Sequence, residues 1–142
     1  NALATPFYHI VVSDDVVGCQ WSAALKNIYA ISVGMTGENG NHTASQFTAA
    51  LEEMKKWVEQ AGGREETVMG LSGLGDLYVT CQGGRNGQLG QYLAQGMSIN
   101  EVLSGPMQDV TVEGYDLMIE IGQYVDTQEK PILTKLLSLV SI

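Results

Sequence analysis

Only one segment of the 142-residue chain, Phe7 to Val12 (FYHIVV), has the β-branched and aromatic run of a strand. That isolation constrains the fold more than any other feature, because a lone strand cannot satisfy its own N–H and C=O groups. From Asp14 onward the apolar residues recur at intervals of three and four, the period of an amphipathic helix. The chain therefore reads as an all-α, multi-helix domain over residues 14–142, preceded by an orphan N-terminal strand and linker over residues 1–13.

Local signals divide the helical part. Asp14 or Asp15 caps a helix reaching about Val33, whose apolar face holds Val17, Trp21, Leu25 and Ile28, with Gly34 as its stop. Thr43 and Gln46 have capping-box spacing for a second helix, which ends at Ala61 before Gly62-Gly63. A short helix spans Glu65 to Met69. Asn86 is placed to cap the next, ending near Gly96. Ser98 and Glu101 form another capping box, for a short helix closed by Gly105. A helix from about Val112 to Tyr124 follows, and Pro131 suits the first turn of the last. The expected total is about six helices behind one strand.

Composition narrows function. With 44% hydrophobic and 16% charged residues the chain can fill a core. A net charge of −9 with seven Lys and Arg offers no basic stripe for nucleic acid. No apolar run is long enough to cross a bilayer. Cys19 and Cys81 form neither a disulfide framework nor a metal knuckle, which favours a reducing cytoplasm and no metal. A small anion can still bind where a few cations are focused.

Two stretches carry chemistry. Lys26 lies in WSAALKNIYAISVG, with almost no other charge nearby and small neighbours suited to close contact. A snorkelling lysine is the bland reading. A lysine held in such a face can also exchange a proton or hold charge against an anionic substrate. Asn27 beside it reads as an interhelical hydrogen bond. The second stretch is GLSGLGDLYVTCQGGRN. No strand precedes its glycines, so it is not a dinucleotide loop; the glycines instead permit tight turns or close backbone approach. Asp76 and Thr80, four residues apart, share a face if helical, and can bind polyol hydroxyls or fix the Lys26 ammonium. Helix capping is the plainer role for Asp76, and a surface position the plainer one for Arg85. Arg85 matches a phosphate bidentately, and a helix N-terminus follows it.

ALKN in a small-residue helix, GLSGLGDLYVTC, the RN pair, TVEGYD and EKPILTKLL together resemble NAD(P)-dependent glycerol-3-phosphate dehydrogenase, in its C-terminal, substrate-binding domain. FYHIVVSDDVVGCQ resembles that family's entry into the domain. The resemblance implies a fold like the C-terminal domain of 6-phosphogluconate dehydrogenase. It also implies that residues 1–13 are left from a missing Rossmann domain whose sheet the strand completes. By the same resemblance, Lys26 transfers the proton at the substrate carbinol. Asp76, Thr80, Arg85 and Asn86 bind substrate. Arg85, Thr111 and Glu113 touch an NAD or NADP cofactor held mainly by the absent domain. The substrate implied is a small phosphorylated polyol, supplying glycerophospholipid precursors. The fragment alone is expected to be inactive, and a homodimer is open to it.

The chain departs from the family at Ala49-Ala50, where Arg-Gly is usual, at Gly84, where serine is common, and at Gly87, often basic. The Ala49-Ala50 and Gly87 changes support one alternative, a degenerate, non-catalytic oligomerisation or anion-binding domain; the other, a related two-domain hydroxy-acid reductase, has the RN pair against it.

Overall fold

The computed structural model describes residues 3–124 and 129–140. Within them the chain is helical. The helices are α1 (Val16–Gly34), α2 (Gly40–Gln60), α3 (Glu65–Val68), α4 (Asp76–Cys81), α5 (Arg85–Ala94), α6 (Ile99–Ser104), α7 (Glu113–Gly122) and α8 (Pro131–Ser138). A π-helical turn, Leu71–Gly75, leads directly into α4. None of the described helices is long and apolar enough to cross a membrane.

The expected strand does not form. Among the described residues, Phe7 to Val12 makes only an isolated bridge between Thr5 and Tyr8. No neighbouring strand offers a ladder, so the segment lies open, with Phe7, Val11 and Val12 exposed. Helix α1 begins at Val16 behind its cap Asp15.

Helix α1 is the axis of the domain. It packs against α2, α3, α4, α5, α7 and α8, and its Leu25, Ile28, Tyr29 and Ile31 are fully buried or nearly so. A helix touched on every side needs apolar residues around its whole circumference, as this one has. Against α5 the contact is backbone on backbone. A Cβ on Gly34 would fall 2.2 Å from the Gly87 carbonyl oxygen, and one on Gly90 would fall 2.1 Å from that of Ile31.

Side chains cap several of these helix N-termini in two ways, and only one of them is local. Asp15 caps α1 by accepting from Gly18 N–H at 2.8 Å, and its other oxygen accepts from Arg64 N–H at 2.9 Å and from the Thr67 hydroxyl. The Thr67 hydroxyl, with the two backbone amides, holds the Asp15 carboxyl below the usual carboxylate range. Ser98 and Glu101 form the expected capping box at α6. The Thr43–Gln46 box does not form. Asn39 caps α2 instead, accepting from His42 N–H, and Thr43 lies inside the first turn with its hydroxyl on the Asn39 carbonyl. Nor is Asn86 the cap of α5; Gly84 holds that position.

The other solution is capping from a distant helix. Helix α8 has no side-chain cap of its own. Buried Glu53 of α2 accepts from Ile132 N–H at 2.9 Å and Leu133 N–H at 3.0 Å. Glu53 also accepts from the Tyr29 hydroxyl at 3.0 Å, so one carboxylate ties α1, α2 and α8 together. Burial, with the Glu53 charge added, pushes the Tyr29 phenol well above its ordinary pKa.

Candidate functional site

The glycine stretch is ordered structure, not a connector. Gly75 N–H donates to the Gly70 carbonyl, the five-residue bond of a π turn. Gly73 is required here, because a Cβ would lie 2.1 Å from the Val68 carbonyl oxygen. The residue added by the π turn fixes the angular position at which α4 begins. Its first residue, Asp76, is thereby set against α1, where its Oδ2 ion-pairs with Lys26 Nζ. Both side chains keep partial access to solvent, Lys26 at 19% and Asp76 at 36%. Asp76 is thus an ion-pair partner, not a side-chain cap. Thr80 is one turn on, and its hydroxyl donates to the Asp76 carbonyl at 2.7 Å. It steadies the turn carrying Asp76 and retains its acceptor lone pairs.

A second anchor joins α1 to α5, one residue along α1 from Lys26. Asn86 is buried, 3% exposed. Its Nδ2 donates to Asn27 Oδ1 at 3.1 Å, and its Oδ1 accepts from Gly114 N–H at 2.9 Å. The interhelical bond expected of Asn27 therefore exists, and Asn86 is its partner. Gly114 is the second residue of α7, which has no side-chain cap in its own sequence. Asn86 is that cap, supplied from α5. A Cβ on Gly114 would lie 2.3 Å from the Asn27 carbonyl oxygen and 2.7 Å from Asn86 Oδ1. The glycine of TVEGYD thus lets α7 approach α1 closely enough for the bridge, a role that its place in a helix's first turn hints at.

Arg85 and Glu113 flank this bridge, each the residue before a bridging partner. Arg85 opens α5, Glu113 opens α7, and their side chains form an ion pair. Both are about half exposed. Thr111 is exposed just before α7 and lines a hollow of about 370 Å³ with Val112, Tyr115 and Asp116.

The structure thus brings Lys26, Asp76, Arg85, Asn86 and Glu113 together where α4, α5 and α7 begin against the middle of α1. Thr80 stands behind Asp76, and Thr111 lies at the rim. A larger cleft, about 490 Å³, is elsewhere, between the end of α1, the start of α2 and α8, and includes none of these residues. The site is an open face, with a cationic amine held by a carboxylate beside a guanidinium at a helix start. Such a face can hold an anionic group at one end and give up or receive a proton at the other.

Residues 15–141 match the family described as NAD-dependent glycerol-3-phosphate dehydrogenase C-terminus. A glycerol-3-phosphate dehydrogenase [NAD(P)+] from Solidesulfovibrio magneticus is 41% identical over 109 residues, covering 73% of this chain and 33% of that protein. The NADP(+)-dependent glycerol-3-phosphate dehydrogenase of Archaeoglobus fulgidus is 38% identical over 107 residues, covering 70% and 32%. Among solved structures, the glycerol-3-phosphate dehydrogenase of Saccharomyces cerevisiae superposes with a TM-score of 0.82 at 26% identity, covering 92% of this chain and 40% of that one. The chain spans about a third of the length of the curated relatives it matches.

Proposed function

The chain belongs to the NAD-dependent glycerol-3-phosphate dehydrogenase C-terminal family, and we propose that it is the substrate-binding domain of a two-domain oxidoreductase. The reaction is the reversible reduction of dihydroxyacetone phosphate to sn-glycerol 3-phosphate, with NADH or NADPH. The observation that carries this reading is the Lys26–Asp76 ion pair, set one residue from the Asn27–Asn86 bridge that leads to Arg85.

When bound, the nicotinamide supplies the hydride. Arg85, Thr111 and Glu113 are this chain's residues for touching the cofactor. Lys26 gives a proton to the substrate's carbonyl oxygen as the hydride reaches its carbon, and takes it back in the reverse direction. Asp76 aims the lysine through their ion pair, with Thr80 steadying the turn beneath. Arg85 and the start of α5 receive the phosphate. Asn86 is a substrate residue chiefly by holding α1, α5 and α7 in register. The ketone is thereby held between a fixed proton donor and a fixed phosphate anchor, the positional part of catalysis. We place residues 1–13 as the link to the nucleotide-binding domain.

The test is oxidation of NADH and NADPH with dihydroxyacetone phosphate by the enzyme carrying this domain, with Lys26→Ala alongside. Turnover should fall by about 10²–10⁴-fold in the variant, and the 142-residue chain alone should show none. A folded enzyme inactive with both cofactors would shift the assignment to another hydroxy-acid substrate or to a non-catalytic anion-binding domain. Turnover indifferent to Lys26→Ala would remove the lysine's role.

A further inference from the structure

We propose that the Glu113 carboxylate is an internal stand-in for the substrate phosphate, and that phosphate binds by displacing it from Arg85. The inference rests on the reading above and adds to it an autoinhibitory contact.

In this chain of net charge −9 with seven basic residues, the ion pairs among the described residues include Lys26 with Asp76, Lys55 with Glu52, Arg64 with Asp14 and Arg85 with Glu113. A phosphate reaching Arg85 therefore meets a guanidinium already occupied by an anion. The pair is built to be exchanged. Both side chains are about half exposed, and exposed ion pairs are weak, so the bond breaks easily. A phosphate dianion brings more charge and can accept from two guanidinium N–H groups at once, where Glu113 meets Arg85 through Nη2 and one carboxylate oxygen, so it wins the guanidinium. Released Glu113 is not stranded, because it sits in the first turn of α7, where a negative charge is favoured. The frame beneath does not need to move. Gly114 N–H stays on Asn86 and Asn86 stays on Asn27, so only two side-chain tips swing.

The contrasting possibility is an ordinary surface ion pair with no bearing on ligands. The two differ in sign. Loss of a merely structural pair leaves anion affinity unchanged or lowers it, whereas loss of a competitor raises it. The experiment is an NMR titration of the 142-residue chain with inorganic phosphate and, separately, with glycerol 3-phosphate. It compares wild type, Glu113→Gln, Arg85→Gln and the double variant. We expect Glu113→Gln to bind both anions about two- to fivefold more tightly, the range set by the worth of an exposed pair. The gain should vanish in the Arg85→Gln background, because the carboxylate acts only through that guanidinium.

Equal or weaker binding by Glu113→Gln, or a gain that survives without Arg85, overturns the inference. So does the absence of binding in every variant. If glycerol 3-phosphate exceeds inorganic phosphate while Glu113→Gln changes neither, the competitor role fails and the dehydrogenase reading stands. If Glu113→Gln tightens both anions through Arg85 but glycerol 3-phosphate holds no advantage, the competitor role stands and the substrate assignment is what weakens.

Discussion

Replacing Asn86 with alanine tests the frame of the site directly. The substitution removes two hydrogen bonds at once, to Asn27 Oδ1 and from Gly114 N–H. The Gly114 amide is buried and is an uncapped helix donor once Asn86 is gone, so leaving it unpaired costs about 1–3 kcal/mol. Asn27 is only partly buried, so water can reach its oxygen and the loss there is about 1 kcal/mol or less. Against these, alanine is the better helix former by about 0.5 kcal/mol. The net expectation is a loss of about 0.5–3.5 kcal/mol. Urea unfolding of the chain, followed by far-UV circular dichroism, reads this as a fall in midpoint. With a slope of about 2 kcal/mol per molar, the midpoint should drop by about 0.3–1.8 M. Asn27→Ala should cost less, and the double variant less than the sum, because the two share one bond. A midpoint for Asn86→Ala within about 0.2 M of wild type would refute the claim that this amide joins three helices.

Other expectations follow from the same contacts. Gly90→Ala should destabilise by about 1–3 kcal/mol or more, since its Cβ meets the α1 backbone. Gly87→Ala, with nothing closer than 3.9 Å, should be neutral or up to about 1 kcal/mol stabilising in the same urea assay. Stability should decline above about pH 10. There the unfolded chain gives up the Tyr29 proton while the folded chain keeps it, and Tyr29→Phe should flatten this alkaline slope. Cys81, pushed up to about 11 by burial, should react with a disulfide reagent at pH 8 far more slowly than glutathione does. Parity between them would show the thiol to be open.

What was legible in the sequence was what a few neighbouring residues decide. Asp15 before α1, the Ser98–Glu101 box and Pro131 at the head of α8 all act within one turn, so their signals are local. Lys26 was legible as a charge out of place and Asp76 as its candidate partner, because one needs the other. The helices α7 and α8 are different. Their caps, Asn86 and Glu53, stand 28 and 79 residues from Gly114 and Ile132, so no window along the chain contains both partners. The same distance hid the Arg85–Glu113 pair, although both residues were already candidates. Asn86 was misplaced as the cap of α5 because an asparagine near a helix start has a local role by default. The strand over Phe7 to Val12 failed for a related reason: propensity is local, but a ladder is not.

The glycine contact between α1 and α5 bears on how such an enzyme could change its substrate. If Lys26 and Arg85 hold the two ends of the molecule, their spacing acts as a ruler. Elsewhere in a core, a ruler can be lengthened by trading a small side chain for a larger one between two helices. Here no side chain separates them, since Gly34 and Gly90 already bring main chain against main chain. Evolution cannot shorten this ruler by trimming, and lengthening it by bulk would cost the fold. A lineage drifting toward a longer molecule would have to leave the crossing alone and rework residues 82–84, the short link that carries Arg85 to its place.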